Sequence, residues 1–116
     1  MILVLEDEPQ RIKWLRRSVQ CPIVHVETVE DFLDFYSPNK DKLKLIILDH
    51  DLGQLQSGYD AARNIDPGVP VIVWSVNPVG AENITKALRS NRVQCIQMPF
   101  LGMNSKQLLE VIESII

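Results

Sequence analysis

Five short apolar runs punctuate the chain: ILVL (2–5), IVHV (23–26), LKLIIL (43–48), VPVIVW (69–74) and VQCI (93–96). They are rich in Val and Ile, and most lack polar alternation. That is the pattern of strands covered on both faces, as in a parallel sheet with helices on each side. The segments between them carry helical spacing. Ile12, Leu15 and Val19 recur after Pro9, a favoured first-turn residue. Val29, Phe32, Leu33 and Tyr36 form a second apolar stripe, and Thr28 with Asp31 ahead of it resembles a capping box. Ser57 is placed to cap a third helix carrying Ala62 and Ile65, which ends at Asp66-Pro67-Gly68. Ala81, Ile84 and Leu88 mark a fourth helix. Leu108, Val111, Ile112 and Ile115 mark a fifth, capped by Asn104 or Ser105.

Strand–helix alternation repeated five times predicts an α/β three-layer sandwich. Right-handed crossovers leave few topologies, and the natural one is a five-stranded parallel sheet of flavodoxin-like order 2-1-3-4-5. In that order the winding reverses between strands 1 and 3, and ligands sit at the carboxyl ends of the strands there.

Composition narrows the picture. A chain of 116 residues fits a single domain spanning 1–116. It is long enough to bury about two thirds of its unfolded surface. The net charge is −3 with no basic block, which argues against nucleic-acid binding. The KDKLK stretch at 40–44 reads as a solvated loop edge. Cys21 and Cys95 lack metal-ligand spacing and are too few for a disulfide framework, so a reducing, cytoplasmic compartment is expected. No apolar run approaches the roughly 18 residues of a membrane span.

The candidate chemistry lies at the strand ends. Strand 1 runs into Glu6-Asp7-Glu8 and strand 3 into Asp49-His50-Asp51. In the expected order these ends are neighbours. Two carboxylates about 6 Å apart repel by roughly 3 kcal/mol at an effective dielectric of 20. Relief comes either from a carboxyl that stays protonated or from a hard divalent cation. Oxygen ligands from Glu6, Asp7, Asp49 and Asp51 favour Mg²⁺ or Mn²⁺. Strand 4 ends in Ser75-Val76-Asn77-Pro78, which brings a hydroxyl and an amide to the same edge. The next helix starts near Gly80, whose N–H is expected to face an anion. Ser75, Asn77 and Gly80 are thus candidate phosphate-binding residues, and Asp49, His50 and Ser75 candidate catalytic ones. His50 is read either as a general acid–base or as a turn residue packing outward. His25, inside strand 2, is read as structural. Trp14 and Trp74 are read as packing residues, with Trp74 bordering the pocket. Pro99 is expected in a turn or a cis peptide.

The whole chain resembles a response-regulator receiver domain of the CheY-like type. The matches are ILVLEDE for the acidic pair, LIILD with Asp49 for the phosphoacceptor, and PVIVWS with Ser75 for the hydroxyl. The resemblance implies Mg²⁺ at the acidic pair and phosphoacceptor, with phosphate arriving from a histidine kinase or a small phosphodonor as in two-component phosphorelays. MPF (98–100) resembles the family's lysine-proline-phenylalanine, with Met98 in the lysine position. Cys95 stands in for the aromatic switch residue, and Gly53 where a proline is common. LDHDLG (48–53) and SVNPVGAEN (75–83) resemble more closely the divergent cyclic-phosphate-processing branch. In that branch a histidine commonly precedes the serine, where this chain has Trp74. The resemblance therefore implies a stand-alone domain that handles phosphate at Asp49, as a signalling phosphoacceptor or in processing a cyclic-phosphate substrate. The alternative it leaves is a pseudo-receiver, a protein-interaction module without phosphorylation.

Overall fold

The computed structural model describes residues 1–52, 57–99 and 105–116. Five parallel strands form one sheet in the order β2-β1-β3-β4-β5: β1 (Ile2–Leu5), β2 (Ile23–Val26), β3 (Leu45–Leu48), β4 (Val71–Ser75) and β5 (Cys95–Pro99). Helices α1 (Pro9–Ser18), α2 (Val29–Asn39), α3 (Gly58–Ala62), α4 (Pro78–Ser90) and α5 (Ser105–Ile115) complete the three layers. This is the flavodoxin-like architecture expected from the alternation.

The strand period of two decides which helix covers which face. Leu3, Leu5, Ile46, Leu48, Val71 and Val73 pack on one side with Phe32 of α2, Ala61 of α3, and Ile84 and Leu88 of α4. Ile2, Val4, Leu45, Ile47, Ile72 and Trp74 pack on the other with Ile12 and Leu15 of α1, and Leu108 and Ile112 of α5. The central strands β1, β3 and β4 are buried throughout, whereas the edge strands β2 and β5 are partly exposed. That explains the unbroken apolar runs in the central three.

Strand boundaries shift from the apolar runs for local reasons. β3 begins at Leu45 because residues 40–42 form a 3-10 turn closed by the Leu43 N–H on the Lys40 carbonyl. β4 begins after Pro70, which has no N–H to give; its carbonyl accepts from Ile46. β5 continues through Met98 to Pro99, opposite Ser75. Pro99 is tolerated because β5 is an edge strand, and no cis peptide occurs among the described residues. α3 is shorter than its apolar spacing suggests. It ends at Ala62, and Ile65 is buried from the turn that follows. Ser57 caps α3 in a full capping box with Asp60. At α2 only one arm of the expected box forms, the Asp31 N–H donating to Thr28 Oγ1. Gly53, Phe100 and Asn104 lie outside the described residues, as does the Ser105 side chain.

Parallel pairing continues past the ends of β1 and β3. The Asp49 N–H donates to the Leu5 carbonyl at 3.1 Å, which fixes Asp49 beside Glu6. The Gly58 N–H then donates to the His50 carbonyl at 3.1 Å. This approach is so close that a Cβ at Gly58 would overlap the Asp49 carbonyl, a backbone atom. Gly58→Ala is expected to destabilise the fold by about 2 kcal/mol or more through overpacking, read as a lowered urea midpoint. An unchanged midpoint would show that the α3 start does not clamp the Asp49 backbone.

Candidate functional site

The carboxyl ends of β1 and β3 bring Glu6, Asp7 and Asp49 together, with one carboxylate oxygen from each lying within 4.8 Å of the others. Glu6 and Asp49 are buried, at 1 % and 5 % exposure, while Asp7 is half-buried. Glu6 is the most committed of the three. Its Oε2 accepts the backbone N–H groups of Asp7 (3.1 Å) and Glu8 (3.3 Å). Its Oε1 accepts from the Arg11 guanidinium at 2.8 Å. Asp49 is the least satisfied, since its Oδ1 is buried with no hydrogen-bond partner among the described residues. Orphaned buried acceptors of this kind are uncommon in folded proteins.

Arg11 was not singled out in the sequence, and it is the charge that changes the site. It is 9 % exposed and sits one residue before Ile12 on the inward side of α1. Its Nη1 lies 3.6 Å from Asp49 Oδ2, an ion pair rather than a hydrogen bond. The guanidinium lies over Trp74, 5.2 Å from the ring centroid, and Trp74 in turn packs against Trp14 at 5.8 Å. Trp74 is therefore a platform beneath the site as well as a core residue. The available signal was a long cation on the apolar stripe of α1, at helical spacing from Leu15.

Burial dominates the titration of the two inner acids. Desolvation and then the Asp49 charge push Glu6 up to about 8, against the opposing pull of Arg11. Asp49 is also raised, chiefly by burial. Arg11 opposes this most, followed by contacts from Glu6, Ser75 and the His50 backbone N–H. The metal-free site thus relieves its crowding with a held proton and a buried arginine together.

The His50 side of the site is organised differently. His50 Nδ1 meets Asp51 Oδ1 at 2.8 Å, and this hydrogen bond holds Asp51 below its ordinary carboxylate value. Asp51, expected among the metal ligands, faces His50 and Asn77 Nδ2 (3.3 Å) and is not one of the three grouped carboxylates. Asn77 is the N-cap of α4. Its Oδ1 accepts the Gly80 N–H at 2.9 Å. The Gly80 N–H expected to face phosphate is thus taken by the cap. Glycine serves another purpose there, because a Cβ would run into the His50 ring. Ser75 is buried, and its Oγ accepts the Asn77 N–H at 3.1 Å. His25 meets the Glu6 carbonyl through Nε2 at 2.7 Å and ties β2 to the end of β1. A cavity of about 570 Å³ opens beside His50, with Ser57, Tyr59, Asn83 and Lys86 in its walls.

The architecture and the acidic rim define a receiver-type domain. The family model for the cyclic-phosphate processing receiver domain matches residues 1–90, and the chain belongs to that family. Among solved structures, the beryllofluoride-activated DrrB receiver domain aligns at a TM-score of 0.71 with 22% identity, covering 98% of this chain and 94% of that one. A fusion containing amino acids 181–211 of the yeast Spc42 trimeric coiled coil aligns at a TM-score of 0.61 with 18% identity, covering 97% of this chain and 78% of that one. At these identities the likeness shows the fold alone. No curated protein matches the sequence. Among the described residues no helix is long and apolar enough to cross a membrane.

The raised Glu6 value has a consequence for stability. In the unfolded chain Glu6 ionises near its ordinary 4.5, but in the fold it holds its proton to about 8. Its contribution is therefore fully present below about 4.5 and is lost as pH rises towards about 8. The urea midpoint of the metal-free protein is expected to fall between about pH 5 and pH 8. A rising midpoint across that interval would show that the inner acids are already ionised in the fold.

Proposed function

We propose that this chain uses the rim formed by Glu6, Asp7 and Asp49 to hold a divalent cation, Mg²⁺ or Mn²⁺, and to hydrolyse a cyclic phosphate ester. The observation that carries this reading is the buried, unpartnered Oδ1 of Asp49 in an all-oxygen group with Asp7 and Glu6. Hard oxygen donors suit either ion. Asp7 and Asp49 supply the less committed oxygens, and Glu6 braces them. The bound ion would neutralise phosphoryl oxygens drawn to the rim.

The chain's own groups supply the remaining parts. Asp51 holds Nδ1 of His50, which orients the ring and leaves Nε2 as the acid–base atom. Water oxygen bonds to phosphorus as one ring P–O bond breaks. His50 Nε2 takes the water proton and returns it to the departing alkoxide, so the product is a phosphomonoester. The Ser75 hydroxyl donates to a phosphoryl oxygen beside Asp49, while Asn77 holds Asp51 in place. The cavity beside His50 gives room for the organic part of the ester, with Tyr59, Asn83 and Lys86 able to meet it. His50 thus takes the acid–base place that Trp74 cannot fill.

A second reading is favoured by the receiver architecture around a buried Asp49 beside Ser75. Asp49 would accept a phosphoryl group from a histidine kinase or a small phosphodonor and signal. Met98, opposite Trp74 on β5, offers no cation to that phosphoryl group. A pseudo-receiver, the third reading, needs no ligand at the rim.

Turnover of a nucleoside 2′,3′-cyclic phosphate separates them. Hydrolysis is expected to require Mg²⁺ or Mn²⁺, to fall at least about 100-fold in His50→Ala, the usual scale for a lost acid–base group, and to fall strongly in Asp49→Asn, which loses an anionic ligand to the ion. Equal turnover by wild type and both variants would remove the hydrolytic reading. A phosphate-sized mass gain with acetyl phosphate, absent in Asp49→Asn and without turnover, would select the phosphoacceptor instead. Gly80→Ala provides a gentler probe: helix propensity favours alanine, but the new methyl displaces His50. Its expected result is a folded protein with turnover reduced about tenfold or more. Full activity in Gly80→Ala would show that the His50 position does not matter.

A further inference from the structure

We propose that Arg11 is the phosphoryl-binding cation of this site, working from α1 across the face of Trp74. The inference rests on the phosphoryl-handling reading above and names a residue that reading does not use. Its basis is a difference between the two ion pairs of one guanidinium. The bond to Glu6 Oε1, at 2.8 Å, is a charge-assisted hydrogen bond. The approach to Asp49 Oδ2, at 3.6 Å, is too long to be one. Arg11 is anchored on Glu6 and only leans towards Asp49. A phosphoryl oxygen arriving beside Asp49 accepts from the guanidinium, replacing the long ion pair with a short charge-assisted hydrogen bond.

Four further features fit this role. A guanidinium presents five N–H donors in a fixed fork suited to oxyanions. Its plane is placed by the Trp74 ring at 5.2 Å, and Trp74 is braced by Trp14. A cation held this way loses little freedom when an anion arrives. Glu6, with one oxygen on two backbone N–H groups and the other on Arg11, acts as the fixed post. Finally, Met98 lies opposite Trp74 and brings no charge from β5. Among the described residues Arg11 is the cation that forms ion pairs with the grouped carboxylates.

Two titrations test the assignment because they are expected to move in opposite directions. Tryptophan fluorescence follows Mg²⁺ binding first, then beryllofluoride, a phosphoryl mimic, at saturating Mg²⁺. In Arg11→Met, Mg²⁺ affinity is expected to rise about threefold or more, since a like charge beside the ion is gone. Beryllofluoride affinity is expected to fall about tenfold or more. Loss of folding does not produce opposite signs. If Arg11→Met does not fold, Arg11→Lys decides: it keeps the charge but not the planar fork, so Mg²⁺ binding stays near wild type and beryllofluoride weakens. Unchanged beryllofluoride binding in Arg11→Met, or in Arg11→Lys where only that variant folds, overturns the role of Arg11 and leaves the proposed function standing. Failure of the wild type to bind Mg²⁺ overturns both, whereas Mg²⁺ binding without beryllofluoride binding overturns the role of Arg11 alone.

Discussion

The site is governed by one constraint: parallel pairing of β1 and β3 leaves their carboxylate-bearing ends nowhere to go but together. The Asp49 N–H bonded to the Leu5 carbonyl extends the ladder by one step and locks that proximity. Burying two acids side by side is costly unless each finds a partner. Glu6 finds two backbone N–H groups and a guanidinium. Asp49 finds a more distant share of that guanidinium, with help from Ser75 and the His50 backbone N–H. Among the described residues the buried side-chain acceptor left without a partner is Asp49 Oδ1, at the edge where open α/β sheets bind ligands.

The other features follow from supporting that edge. Trp74 belongs to the core on the α1 and α5 side, and the same ring lies under Arg11. Gly58 lets the start of α3 close on the Asp49 carbonyl, and Gly80 lets His50 lie against α4. Asn77 caps α4 with one end of its amide and reaches Asp51 with the other. Each of these contacts joins a packing element to a polar one, so the pocket's geometry is a property of the whole sandwich.

Much of this was legible in the chain. Unbroken apolar runs gave the central strands, because residues buried on both faces need no polar alternation. The strand order followed from the alternation, and the meeting of Glu6, Asp7 and Asp49 followed from the order. The strand limits moved where backbone chemistry outweighed hydrophobicity, as at Pro70 and in the extension of β5 through Pro99. Arg11 was hidden because the apolar spacing of α1 defines a face by its hydrophobic members, and a buried cation on that face is recognised only by what it touches. The Gly80 N–H is committed for a related reason. A helix-start N–H is open to an anion only if the cap leaves it open, and Asn77 does not. Asp51 follows Asp49 by two residues, yet its side chain meets His50 and Asn77 instead of the grouped carboxylates.

The central claim is that the meeting point of the β1 and β3 ends is a cation-binding, phosphate-handling rim. Titration of Mn²⁺ into isotope-labelled protein, followed by paramagnetic broadening of backbone amide signals, tests it most directly. Selective loss of the Asp7, Asp49 and His50 signals at stoichiometric Mn²⁺, reversed by excess Mg²⁺, is expected. Broadening spread over the acidic surface, or centred away from Asp49, would contradict it.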